Sequence, residues 1–382
     1  MTLWPIALAA FGSTASMRIC DPMLITLGRE FQVSTGDASA VISAFAVAYG
    51  VLQFFYGPMG DRIGKLRVVV GATFACAIFS LMTAFAGSLQ WLVFCRALMG
   101  ASAAGIVPLA IAWIGDQVAY ERRQETLARF SGATLLGMMS GQLFGGYAAD
   151  NFGWRPAFLV LAGIFLVAAT VLLRHVRQTG APAAPPGSLA DYLRNNRRLL
   201  TLPRVRWVLT VTALEGALAY GALAFVPSRL VEAFGFSLSE AGLAMVLWGV
   251  GGLAYGQLAR RWLALLGERG LALTGASLLA TALLMLSWGS GTLTGALACF
   301  VSGVGLYMLH NTLQTQATQM APEARGAAVT LFACVLFLTQ SVGVWVVGLT
   351  LDRGALAASF TVCATGLVLL GVWVSRHVRP RA

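Results

Sequence analysis

Long apolar stretches, each about twenty residues and each closed by a short charged or glycine-containing turn, succeed one another along almost all of this 382-residue chain. A helix rises about 1.5 Å per residue, so twenty residues match the ~30 Å hydrocarbon core of a bilayer. In hydrocarbon each backbone N–H and C=O must be satisfied without water, and a single apolar segment does so as a helix. Composition agrees. Hydrophobic residues make up 58% of the chain and charged residues only 11%, against roughly a quarter charged in a soluble domain. That charge cannot cover a water-facing surface. The expectation is an all-α integral membrane protein, with room for about 12 transmembrane helices.

Spans are expected at about 2–27, 38–58, 67–87, 90–114, 126–149 and 155–174, then at 205–230, 239–259, 270–288, 293–317 and 326–350, with a last one ending near Arg376. The first run has no basic segment before it and outruns a signal-peptide core, so it reads as a retained span. Residues 176–204 form the one long polar segment. Its Ala181-Pro182-Ala183-Ala184-Pro185-Pro186-Gly187 stretch is too proline-rich for a helix. Asp191 to Leu200 suits a short amphipathic helix on the membrane surface. The chain thus divides into an N-terminal six-helix bundle (1–175), a linker (176–204) and a C-terminal six-helix bundle (205–382).

The net charge is +11, carried by 26 basic residues. Twenty of them fall on one side of this topology: Arg62, Lys65 and Arg67; Arg122, Arg123 and Arg129; seven around the linker; Arg260, Arg261 and Arg269; Arg325; and Arg376, Arg379 and Arg381. Arg29, Arg155, Arg229 and Arg353 fall on the other, and only Arg18 and Arg96 lie inside spans. Loops facing the cytoplasm carry the excess of arginine and lysine, which places both termini and the linker inside. Topology accounts for the basic charge, so no nucleic-acid partner is expected. The six cysteines lie singly within apolar segments, without metal-ligand spacing. Neither a metal nor a cofactor is expected. No G-x-S-x-G, no H-E-x-x-H and no paired aspartates are present, so a membrane-embedded enzyme is not expected.

An ionisable side chain at the bilayer centre costs about 2.5–3.5 kcal/mol on insertion scales and marks a functional site with a partner. Arg18, Asp21, Arg96 and Glu215 are such residues, and His310 is a fifth candidate. Arg18 and Asp21 are three apart on one helical face, and Pro22 loosens the backbone beside them. A bridge from Asp21 to Arg96 is plausible on depth alone. The alternative is a fixed ion-pair cluster of Arg18, Asp21 and Arg96 that ties the first and fourth spans together. Glu215 has no basic residue within a helical turn, which suits either a carboxyl group that loads and releases a proton or a protonated acid hydrogen-bonded in the bundle. His310, Asn311, Gln314 and Gln316 make one half of the tenth span polar; they suit contact with substrate or the lining of a wet cavity. A row of Gly137, Gly141, Gly145 and Gly146 lets helices approach closely.

The turn Gly57-Pro58-Met59-Gly60-Asp61-Arg62-Ile63-Gly64-Lys65 joins the second and third spans. It resembles the loop signature of the major facilitator superfamily, with Gly57, Asp61, Arg62, Gly64 and Lys65 on the pattern and Leu66 off it. Arg96-Ala97-Leu98-Met99-Gly100 resembles the fourth-helix signature of that family. The glycine row with Gln142 resembles the fifth-helix signature of its drug:proton antiporters, with Gln142 in place of proline. The chain also repeats. A shift of 199 sets Gly57 on Gly256 and Arg62 on Arg261, and a shift of 202 sets Asp150 on Asp352 and Phe158 on Phe360. Two six-helix repeats are what the resemblance implies. It further implies that Arg96 faces a central cavity and joins in proton coupling, that Asp61 meets the eleventh span, and that Arg62 pairs with an acid here matched by Asp116 in a cytoplasmic gate. The glycine row is expected to pack the fifth span on the eighth, with Gln142 facing the cavity as the sharper reading. The implied activity is proton-coupled efflux of a small amphiphilic or zwitterionic compound by alternating access across a bacterial inner membrane, driven by the proton gradient, in a protein expected to act as a monomer. Import of an organic anion with protons is the alternative.

Overall fold

The computed structural model describes residues 3–179 and 189–378. The proline-rich stretch Ala181–Gly187, and Arg379 and Arg381 of the orientation argument, lie outside the described residues. The first apolar run holds α1 (Trp4–Arg18), a 3₁₀ turn (Asp21–Met23) and α2 (Leu24–Phe31). There follow α3 (Thr35–Ala38), α4 (Ala40–Ile63), α5 (Lys65–Ala84), α6 (Leu89–Ala103), α7 (Ile106–Gln117), α8 (Tyr120–Asn151) and α9 (Arg155–Thr179). Then come α10 (Leu189–Leu199), α11 (Pro203–Glu215), a π-helical turn (Gly216–Tyr220), α12 (Gly221–Leu223) and α13 (Val226–Phe234). The series ends with α14 (Leu238–Trp288), α15 (Thr292–Gln319), α16 (Arg325–Leu351) and α17 (Leu356–His377). No strand occurs among the described residues.

Nine described helical stretches are long and apolar enough to cross a membrane. The differences from the expected spans have local causes. The first span is interrupted after Arg18, where Pro22 has no N–H to give. The fifth, α8, is diluted by its glycines, its serines and Gln142. It also starts at Tyr120, six residues before the expected boundary, because Tyr120–Glu125 is rich in good helix formers and extends into water. The eighth and ninth expected spans run together as the 51 residues of α14, about 77 Å if straight. The backbone leaves helical geometry at Gly267, with φ 63° and ψ 176°, a conformation that suits glycine. There the chain folds back. Gly303 of α15 lies against Trp248 before the break, and Gly305 of α15 lies against Gly275 beyond it.

Close backbone approach sets the packing. Gly137, Gly141 and Gly145 meet the carbonyls of Phe11, Ala15 and Ile19, so this row seats α8 on α1. That corrects the expected partner: only Gly146 faces α14, where it meets Leu238, and Gly242 of α14 meets the Gln142 carbonyl in return. The second seam between the early and late elements runs along α4 and α16. Gly50 meets the Cys334 carbonyl, Tyr49 packs on Phe337 with ring centroids 4.5 Å apart, and the Ser341 hydroxyl donates to the Ser43 carbonyl. Without a hydrophobic force between helices in lipid, such close contacts supply the attraction. The amphipathic helix expected at Asp191–Leu200 is α10. It lies over this seam, its Tyr192 hydroxyl donating to the Phe54 carbonyl at 2.9 Å.

Candidate functional site

The break after Arg18 builds the site. A helix leaves its last carbonyls without amide partners. Arg96, on α6, donates from Nη1 to one of them, the Ser16 carbonyl, at 2.9 Å, and from Nε to the Val41 carbonyl of α4 at 3.3 Å. Its guanidinium lies over Phe45, 4.4 Å from the ring centroid, with Phe158 of α9 at 5.9 Å. Planar, fully charged and many-donored, arginine suits this position as lysine would not. Arg96 therefore pins α1, α4, α6 and α9 together and is wholly buried.

Asp21 does not bridge to Arg96. Its Oδ2 faces Arg18 Nη1 at 3.3 Å across the helix break and accepts from Gln142 Nε2 at 3.4 Å. Its Oδ1 has no partner, nor has Arg18 Nε or Gln142 Oε1. Arg18, Asp21 and Gln142 are each at most 1% exposed. Gln142 thus sits where the fifth-helix signature has proline, and it touches the buried carboxylate.

On the late elements, Glu215 ends α11 immediately before the π-helical turn. Such turns are single-turn irregularities that recur at functional positions. Glu215 is fully buried, and its Oε1 lies 3.2 Å from His310 Nδ1 of α15. Its Oε2 has no partner. The His310 ring stands between Tyr220 and Phe332, with centroids 5.7 Å from each. Tyr220, at the end of the π-helical turn, also carries the Arg18 guanidinium at 5.5 Å from its ring centroid. A continuous series results: Asp21, Arg18, Tyr220, His310, Glu215.

None of the four buried charges faces lipid, and none is itself exposed. The partly exposed groups around them are His310, Tyr220, Tyr307 and Asn311. Gln314 is exposed, whereas Gln316 is buried and donates to Glu268 at 2.6 Å while accepting from Arg204. Tyr220, Tyr307 and the Glu268–Gln316–Arg204 group were not anticipated. Tyrosine and glutamine at span depth, in segments otherwise aliphatic, were the available signal.

At the loop joining α4 to α5, the partner of Asp116 is Lys65, at 2.5 Å, in place of the expected Arg62. Lys65 starts α5 and is three-quarters buried, while Arg62 lies in the last turn of α4 and is exposed. Gly64 turns the chain with φ 103°, where a Cβ would be strained. A close approach at this loop is made by Gly60, against Leu109, and not by Gly57, which has open space. Asp61 lies in the last turn of α4, exposed. Near this end a cavity of about 630 Å³ opens between the starts of α1 and α8 and the end of α7, lined by Trp113, Gln117, Arg122, Thr126 and Arg129 among others. Among the described residues no cluster of His, Cys, Asp and Glu fits a metal.

The chain is similar to several known proteins. It is 24% identical to YceJ of Bacillus subtilis, an uncharacterized transporter, over 86% of this chain and 84% of that one. Identity is 27% with the probable multidrug resistance protein EmrY of Escherichia coli, over 48% of this chain and 37% of that one. With the multi-drug resistance efflux pump PmrA of Streptococcus pneumoniae it is 30%, over 38% of this chain and 37% of that one. These two matches span little more than a third of the relatives' own lengths. Of solved structures, a D-xylose–proton symporter superposes with TM-score 0.80 at 13% identity, over 99% of this chain and 97% of that one. The nucleoside transporter NupG does so with TM-score 0.79 at 13% identity, over 98% and 100%. These structural likenesses show a common fold. A sequence model described as the Major Facilitator Superfamily matches residues 6–344, and the chain belongs to that family of multi-pass membrane transporters.

Proposed function

We propose that this protein is a secondary transporter that exchanges protons for a small amphiphilic or zwitterionic compound, moving the compound out of the cell. In this reading the chain crosses the bacterial inner membrane twelve times as two six-helix repeats, 1–175 and 205–382, with both termini inside. The observation that carries it is Asp21: a buried carboxylate with one oxygen shared by Arg18 and Gln142 and the other without a partner. Protonation removes its hold on Arg18. The freed guanidinium, beside Tyr220 and the Glu215–His310 pair, then presents a different field to a bound compound. Binding that differs between protonation states shifts the balance of inward- and outward-open forms. A zwitterion offers a cation to Asp21 and an anion to Arg18, replacing both ends of that pair. Arg96 acts here as the residue that holds the break in place, and Lys65 with Asp116, Asp61, Arg62, Gly57 and Gly64 form the cytoplasmic gate.

The efflux direction is supported by the similarity to EmrY and PmrA. Import of an organic anion with protons is the second reading; Arg18 favours it, since a protonated Asp21 leaves a lone guanidinium for a carboxylate. The test begins with a thermal-shift screen of purified protein against metabolite and drug libraries, followed by counterflow on the hits. Proteoliposomes holding an imposed pH gradient then decide: efflux predicts accumulation toward the acidic side, and accumulation with the protons overturns it.

A further inference from the structure

Glu215 is sealed. It has no exposed surface, one oxygen has no partner, and its hydrogen-bonding neighbour is the His310 imidazole. His310 is the partly open member of the pair, its side chain 15% exposed. A buried carboxyl group exchanges protons only through a group that touches both it and water. We infer that His310 is the proton port of Glu215: a relay that passes protons between the water-accessible face of the protein and the buried carboxylate.

The geometry supplies each part of the step. With Glu215 ionised, His310 Nδ1–H donates to Oε1 across the 3.2 Å contact. That tautomer leaves the Nε2 lone pair free to take a proton from water. Nδ1 then gives its proton to Oε1, so the carboxylate becomes the acid and the imidazole ends neutral, protonated on Nε2. Release runs the same steps in reverse. The ring is held for this by contacts with Tyr220 and Phe332, and Glu215 is followed directly by the π-helical turn. The titratable and charged groups facing the pair are Tyr220 on the turn, Tyr307 on α15 and Arg18 on α1. From α16 come Phe332 to His310, and Thr339 and Leu336 to Gly216, none of them titratable.

The use of this relay in transport rests on the proton-coupled reading above, but the relay can be observed without substrate. After a pH jump on purified protein, time-resolved infrared difference spectroscopy follows the carboxyl stretch that E215Q removes and D21N retains. In H310A that signal is expected to form about a hundredfold more slowly, the lower end of what a positioned proton carrier supplies, and added imidazole is expected to restore the rate. H310N sets its amide nitrogen in the place of Nδ1 and keeps a hydrogen bond to Glu215 but cannot relay, and is expected to stay slow. A wild-type rate in H310A overturns the relay. So does a wild-type rate in H310N, or slowing in H310A that imidazole leaves unchanged, since either marks a merely structural contact. A carboxyl signal that E215Q does not alter overturns it as well. Failure of proton coupling in flux assays leaves these infrared outcomes untouched, so the two readings fail separately.

Discussion

Asp150 and Asp352, 202 positions apart, hold equivalent places at the two seams of the molecule. Asp150, at the end of α8, accepts from the Ser239 amide at 3.2 Å and from its hydroxyl at 2.6 Å. Asp352, just past α16, accepts from the Gly36 amide at 2.9 Å and the Ser34 hydroxyl at 2.7 Å. Ser239 is the second residue of α14 and Gly36 the second of α3. Each aspartate thus sits on the open N-terminal amides of a helix from the other part of the chain, where a negative charge is favoured. On the orientation proposed above these are external latches, and they hold the structure closed on that side.

Removing either aspartate is expected to release that closure in part. A carboxylate on an exposed helix N-terminus contributes up to about 1 kcal/mol, or about fivefold in population. Spin labels on Phe152 and Leu293, both exposed, report the separation across this end. In D150A the long-distance population grows about fivefold, and in D150A/D352A by roughly the product of two such steps. Unchanged distance distributions in the double variant contradict the latch.

The glycine row makes a sharp comparison. A side chain at Gly141 meets the backbone of Ala15, while one at Gly57 meets nothing. G141L is therefore expected to abolish the folded monodisperse peak in size-exclusion chromatography, because α1 and α8 cannot separate without losing the Asp21–Gln142 contact. G57A is expected to fold normally and to melt no lower than the parent, since alanine favours a helix interior over glycine by about 1 kcal/mol.

Arg96 is the structural keystone of the N-terminal elements in this account, holding two backbone carbonyls and a phenylalanine ring. Hydrogen bonds from a charged group contribute about 1.5–3 kcal/mol each. R96M is expected to lower the melting temperature measured by intrinsic fluorescence, and R96K to recover little of it, because an ammonium cannot span both carbonyls and stack on Phe45.

The Lys65–Asp116 pair is half-exposed on its acidic side. A double-mutant cycle of K65A and D116A, read as thermal stability in detergent, is expected to give a coupling below about 1 kcal/mol that shrinks as salt is added. A larger, salt-insensitive coupling contradicts the view of this loop as a contact easily broken during gating.

The helical, membrane-embedded character was legible because hydrocarbon leaves an apolar twenty-residue segment one way to satisfy its backbone. The likeness of Asp150 to Asp352 was legible because both seams place the same demand on a helix end. Pairings were less legible. Arg62 and Lys65 are close in sequence and both basic, and only the turn at Gly64 determines which reaches Asp116. Glu215 showed no basic neighbour along its own helix, and its partner His310 lies 95 positions away. The glycine row signalled close approach without naming the helix it meets. Tyr220 was missed because a π-helical turn aims it toward Arg18, and nothing in the local sequence distinguishes that turn from regular helix.

The central claim is that carboxylates buried between the early and late elements carry the coupling to protons. The most direct measurement is substrate flux in proteoliposomes under an imposed pH gradient, with D21N and E215Q compared with the parent and counterflow as the control for folding and binding. The account predicts that both variants lose the acceleration by the gradient and that E215Q keeps counterflow. Gradient-driven flux at the parental rate in both would contradict it.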